Sequence, residues 1–148
     1  MEKNKKNLKI LSIVILVLLL VSVISSIVTL CANGIPEPKP EDLNETITYE
    51  IAKGISVVTV ILGFVALLPH LYVGIKGMRI ADGKAKKSKA PLVWAIIIAV
   101  LAVFSTISSI TTLSEGFDAY KLLTAIDQAL DVIIFGLYFY CVRKVYND

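Results

Sequence analysis

ILSIVILVLLLVSVISSIVTLCA, residues 10–32, runs for twenty-three positions without a charge. A stretch of that length exceeds the roughly 20 residues a helix needs to cross the hydrocarbon core of a bilayer. Two more uncharged runs follow, Gly54–Ile75 and Ala90–Ser114, and a fourth, Leu122–Val142, is long enough but holds Asp127, Gln128 and Asp131. Across all 148 residues, 56% are hydrophobic and the mean hydropathy is +0.77, beyond an ordinary globular chain. The reading is an all-α integral membrane protein, a four-transmembrane-helix bundle forming one membrane domain over 1–148. Its helices are expected near 8–32, 51–76, 90–114 and 120–143. An extracellular loop at 33–50, a cytoplasmic basic loop at 77–89 and a short outer loop at 115–119 join them.

Charge orients the spans. The start carries Lys3, Lys5, Lys6 and Lys9 against Glu2, and the first loop has five acids against Lys39. The second, KGMRIADGKAKKSKA, has six bases against Asp82; the third is slightly acidic, and the tail opens with Arg143 and Lys144. Basic and acidic segments alternate as the positive-inside rule requires, which expects both termini in the cytoplasm. The basic loop then serves as orientation signal and contact for lipid headgroups. No aromatic interleaving points to nucleic acid. The first apolar run is longer than a cleavable signal core and no small-x-small site follows, so it is read as a retained helix. The lysine- and isoleucine-rich composition is read as that of a bacterial cytoplasmic membrane protein.

One phrase occurs twice. VSVISSIVTL (21–30) and FSTISSITTL (104–113) agree at seven of ten positions. At 100° per residue, Ser22, Ser25, Ser26 and Thr29 fall in one stripe, as do Ser105, Ser108, Ser109 and Thr112. Small hydroxyl residues let helices approach closely in lipid, so each stripe is expected to face protein. Both copies run in the same direction, which points to two parallel helical hairpins with pseudo-two-fold symmetry along the membrane normal. Duplication and two separately arisen packing stripes both account for the match. A weaker correspondence lays HLYVGIK (70–76) on YFYCVRK (138–144), opposing Gly63 to Asp131 and Thr59 to Asp127.

The carboxylates carry the chemistry. Counting back from Arg143 puts Asp131 near the bilayer centre and Asp127 one turn further out on the same face. An aspartate at that depth costs about 2.5–3.5 kcal/mol on insertion scales. Relief is expected from a polar cluster of Asp131, Asp127, Gln128, Ser22, Ser26, Ser105 and Ser109, with Lys53 at its rim, binding an ion or other ligand. The plainer alternative is that these groups hydrogen-bond one another and fix helix packing. His70 after Pro69 is a candidate proton relay, or else bonds a carbonyl or headgroup near the end of its span. Pro69 favours a kink.

Other features are quieter. Cys31 and Cys141 are expected on opposite membrane faces as free thiols. GIKG (74–77) reads as a helix exit. Phe135, Tyr138, Phe139, Tyr140, Tyr146, Tyr72 and Trp94 read as an interfacial aromatic belt. IPEPKPED reads as an exposed spacer, and NET (44–46) is a formal glycosylation sequon.

Length and span number are similar to those of small multidrug-resistance transporters. Their membrane-embedded glutamate, however, has no counterpart in the first span, which holds no acid. Four-helix quinone-linked thiol oxidoreductases require a CxxC pair, absent here. No cofactor or metal is called for. Three functions follow in order: a non-enzymatic interaction or assembly protein, as accessory subunit or oligomer; a small proton- or cation-coupled transporter or channel using Asp131 and Asp127; and an enzyme, for which no catalytic constellation is evident. The partners expected are the lipid bilayer and a second copy or another membrane protein.

Overall fold

The structure, a computed structural model, describes residues 2–40, 43, 48–86, 88–114 and 119–147. The NET sequon and most of the third loop lie outside the described residues. Every regular element is a helix: α1 (Glu2–Asn33), α2 (Tyr49–Val65), α3 (Leu68–Ala81), α4 (Ala90–Ser114) and α5 (Ala119–Asn147). Among the described residues four stretches are long and apolar enough to cross a membrane, with α2 and α3 together forming the second. The protein is a helical membrane protein.

The helices overrun the expected bounds at their charged ends. α1 begins at Glu2, and α3 continues to Ala81, five residues into the expected basic loop. α1 rises about 48 Å at 1.5 Å per residue, well past a roughly 30 Å hydrocarbon core. Two glycines with φ of 71° stop helices in the left-handed conformation open to them. Gly34 N–H returns to Leu30 O at 2.9 Å after α1, and after α3 Gly83 is followed by Lys84 N–H bonding back to Arg79 O at 2.8 Å.

The kink expected at Pro69 is a break. α2 closes with Ala66 N–H on Leu62 O and Leu67 N–H on Phe64 O. α3 starts at Leu68, placing Pro69 in a first turn where its missing N–H costs least.

By contact the chain divides into two units, one of Met1–Leu16 with Pro69–Asp148, the other Val17–Leu68. The first has a core. Leu8 and Ile15 of α1, Val73 and Ile80 of α3, Ala95 and Ile98 of α4, and Phe135, Tyr138 and Val142 of α5 are all buried and form one cluster. On α5 the inward positions 128, 131, 135, 138, 142 and 145 step by three and four, as do 95, 98 and 102 on α4. That seam takes Phe135 and Tyr138 out of the expected aromatic belt and into the core. Tyr140, off the seam, stays exposed.

GIKG is likewise no exit. Gly74 and Gly77 are buried inside α3, where a Cβ on Gly74 would come within 2.7 Å of Leu16. A Cβ on Gly77 would collide with Ser12 and lie 2.6 Å from the Tyr138 ring. Buried Ser12 turns its hydroxyl onto Leu8 O at 2.7 Å, and Tyr138 Oη donates to Val73 O at 2.9 Å. Two missing side chains thus let α1, α3 and α5 meet.

The second unit differs. Among its described residues Ala52 is the one buried position.

Candidate functional site

The intramembrane polar groups of the first unit sit where the α5 seam turns from carbon to oxygen. Below Asp131 the seam holds Phe135, Tyr138 and Val142; at Asp131 and Gln128 it is polar and half-buried. Gln128 Oε1 accepts the Ser109 hydroxyl of α4 at 2.8 Å. This bond sets the register of the antiparallel pair, because three residues further along α5 corresponds to three residues back along α4. Asp131 therefore stands level with Thr106, whose hydroxyl is turned back to Ala102 O at 2.7 Å. Thr106 is half-buried while Ser105 beside it is exposed. The stripe expectation picked the wrong neighbour, since the α4 seam of 95, 98 and 102 continues through 106 and 109.

His70 of α3 approaches the same face. Its ring meets that of Phe135 edge-on, with centroids 5.2 Å apart and planes at 84°. Phe135 is one turn from Asp131 on that face. His70 Nδ1 is buried and finds no hydrogen-bond partner. A buried, unsatisfied nitrogen in a low-dielectric setting is costly, and such groups concentrate at functional positions. The polar groups on this face are a half-buried carboxylate and a hydrogen-bonded amide and hydroxyl, with an imidazole packed on Phe135 one turn away.

The remaining expected residues divide by location. Asp127 and Ser105 are exposed in the first unit. Ser22, Ser26 and Lys53 belong to the second unit and are exposed. Lys53 holds its ammonium 5.7 Å from the Tyr49 ring centroid and, with Asn33, Ile35 and Glu37, lines an open hollow of about 570 Å³. The structure thus bonds Ser109 to Gln128 and sets the His70 ring against Phe135, one turn from Asp131. His70 was foreseen as a candidate relay but not as meeting α5 one turn from Asp131. The signal was there: both positions are polar, and Pro69 frees the start of α3 to carry the ring against α5.

The chain fits no family model, and neither a functionally described protein nor a solved structure is similar to it. Function rests on the residues themselves. Among the described residues no three His, Cys, Asp or Glu side chains gather as a metal site would need. Cys31 is exposed and Cys141 buried, both as free thiols.

Outside the spans, Lys9 Nζ reaches Asp82 Oδ1 at 2.8 Å, tying α1 to the turn after α3. The hydrogen bond from Lys9, helped by its charge and that of Lys84, holds the Asp82 carboxyl below its ordinary range.

Proposed function

We propose that the protein works by assembly in the membrane, as an accessory subunit or an oligomer, and makes or breaks no bonds. One observation carries this reading: the second unit buries only Ala52 among its described residues, while Ser22, Ser25, Ser26 and Thr29 form an exposed hydroxyl face along α1. Lipid tails satisfy exposed Ile, Leu and Val but offer hydroxyls nothing to bond. A neighbouring helix does both, because small residues admit a close backbone and hydroxyls bond across the contact. Each such bond averages about 0.6 kcal/mol, so a face of four contributes meaningfully. Gly54 and Gly63 of α2 also stand open, with nothing near the Cβ positions they lack. The reading places the protein in a bacterial cytoplasmic membrane with both termini inside, and takes α1 with α2–α3, and α4 with α5, as two parallel hairpins about a pseudo-two-fold axis. Counting subunits by single-molecule photobleaching in native-lipid nanodiscs tests it. Two or more copies, or a stoichiometric membrane partner, is the expected result; solitary monomers without a partner would remove it.

A second reading has its own support in Asp131 and His70. It makes the chain a small proton- or cation-coupled transporter or channel, with Asp131 and Asp127 as titrating groups. In vesicles loaded with a pH-sensitive dye, Asp131→Asn should then abolish ion movement seen with the unaltered chain. Equal movement in both, or none in either, rejects this second reading.

A further inference from the structure

We infer that the α4–α5 face is a binding site for one anionic phospholipid, an acyl tail lying between the helices and the headgroup held by Lys89 and Arg143. The site is separate from the hydroxyl face of α1 and does not depend on assembly.

The tail position is a hollow of about 210 Å³ with no polar surface, walled by Ala95, Ala99 and Val103 of α4 and Phe135, Gly136 and Phe139 of α5. From residue 95 to 103 it extends about 12 Å at 1.5 Å per residue, close to the depth of one leaflet of a roughly 30 Å core. Gly136 keeps it open, with nothing within 4 Å of the Cβ position it lacks. A volume of about 210 Å³ spread over about 12 Å suits the narrow section of a single hydrocarbon chain, not that of a helix about 10 Å across.

Charge names the headgroup. Arg143 is one turn beyond Phe139, on the side of α5 that carries Gly136, and Lys89 immediately precedes α4. Ser88 N–H donates to Tyr146 Oη at 3.2 Å, which pins the start of α4, next to Lys89, against the last turn of α5, three residues from Arg143. Both are exposed. The ion pair described at this end joins Lys9 to Asp82 and uses neither of them. A phosphate there gains two charge-assisted contacts while its tail replaces lipid already required in the groove.

The test uses the full chain in phosphatidylcholine bilayers containing trace spin-labelled phosphatidylglycerol or spin-labelled phosphatidylcholine, reading the motionally restricted fraction by electron paramagnetic resonance. Phosphatidylglycerol should be preferred. Lys89→Gln with Arg143→Gln should lower that preference by about fivefold per charge removed. Gly136→Leu, which adds a side chain into open space, should reduce it by filling the slot with both cations intact. Lys5→Gln with Lys6→Gln, the same charge lost elsewhere, should leave it in place. An equal loss in the Lys5/Lys6 variant reduces the effect to diffuse surface charge and overturns the site. So does an unchanged preference in the Lys89/Arg143 variant, or efficient Gly136→Cys cross-linking between copies, which would make the groove a protein interface.

Discussion

The two units are made of the same kinds of residue and use them differently. In the first, Gly74, Gly77 and Ser12 are buried at a crossing where Tyr138 and Leu16 fill the space they leave. In the second, Gly54, Gly63, Ser22 and Ser26 are open. A small residue in a membrane helix is therefore half of a contact, and the other half decides what it does. Where a neighbour in the chain supplies it, the result is a core; where none does, the result is a surface suited to another helix.

Substitutions sharpen this contrast. The largest effect belongs to Gly77→Val, which drives a branched side chain into Ser12 and Tyr138. Overpacking of this sort costs about 1–3 kcal/mol, read as a fall in thermal midpoint in detergent. Gly63→Ala, in open space, should leave the midpoint unchanged or slightly raised. Equal losses at the two glycines would erase the distinction between the units. Next comes Tyr138→Phe, which removes the donor to Val73 O and should cost about 1 kcal/mol, within the range for polar bonds between membrane helices. A smaller term is the Ser109–Gln128 bond. A double-mutant cycle of Ser109→Ala and Gln128→Leu should give a coupling of about 0.6 kcal/mol, and none would mean the pair sets no register.

The smallest effect is expected from Lys9 and Asp82, an exposed pair that salt screens. Because the Asp82 carboxyl is held below its ordinary range, its contribution is present at neutral pH. It disappears as pH falls through that lowered value. Lys9→Gln should flatten this acid-side dependence, and a dependence that survives Lys9→Gln belongs to another group.

The spans were legible in the sequence because crossing a bilayer demands length and apolarity, both of which are local. The break before Pro69 was legible for the same reason, since a missing N–H acts on its own helix. Contacts were harder. GIKG and the α2 glycines look alike as text, and only the approach of α1 and α5 makes Gly74 and Gly77 different. The aromatic run 135–140 was assigned to one belt, yet three-and-four spacing sends Phe135 and Tyr138 inward and Tyr140 outward. Asp131 stood out because a carboxylate in a span is rare. The packing of His70 on Phe135, one turn away, was not legible, because it depends on how α3 meets α5.

The assembly reading stands on the α1 hydroxyl face, and labelling that face in its own membrane tests it most directly. In a Cys31→Ser background, Ser22→Cys, Ser26→Cys and Ile24→Cys would each carry a short photo-reactive group, with Ile24 on the opposite side of the helix. The account predicts a discrete protein adduct from positions 22 and 26, and lipid adducts alone from 24. Lipid adducts alone at all three positions, or the same protein adduct from all three, would contradict it.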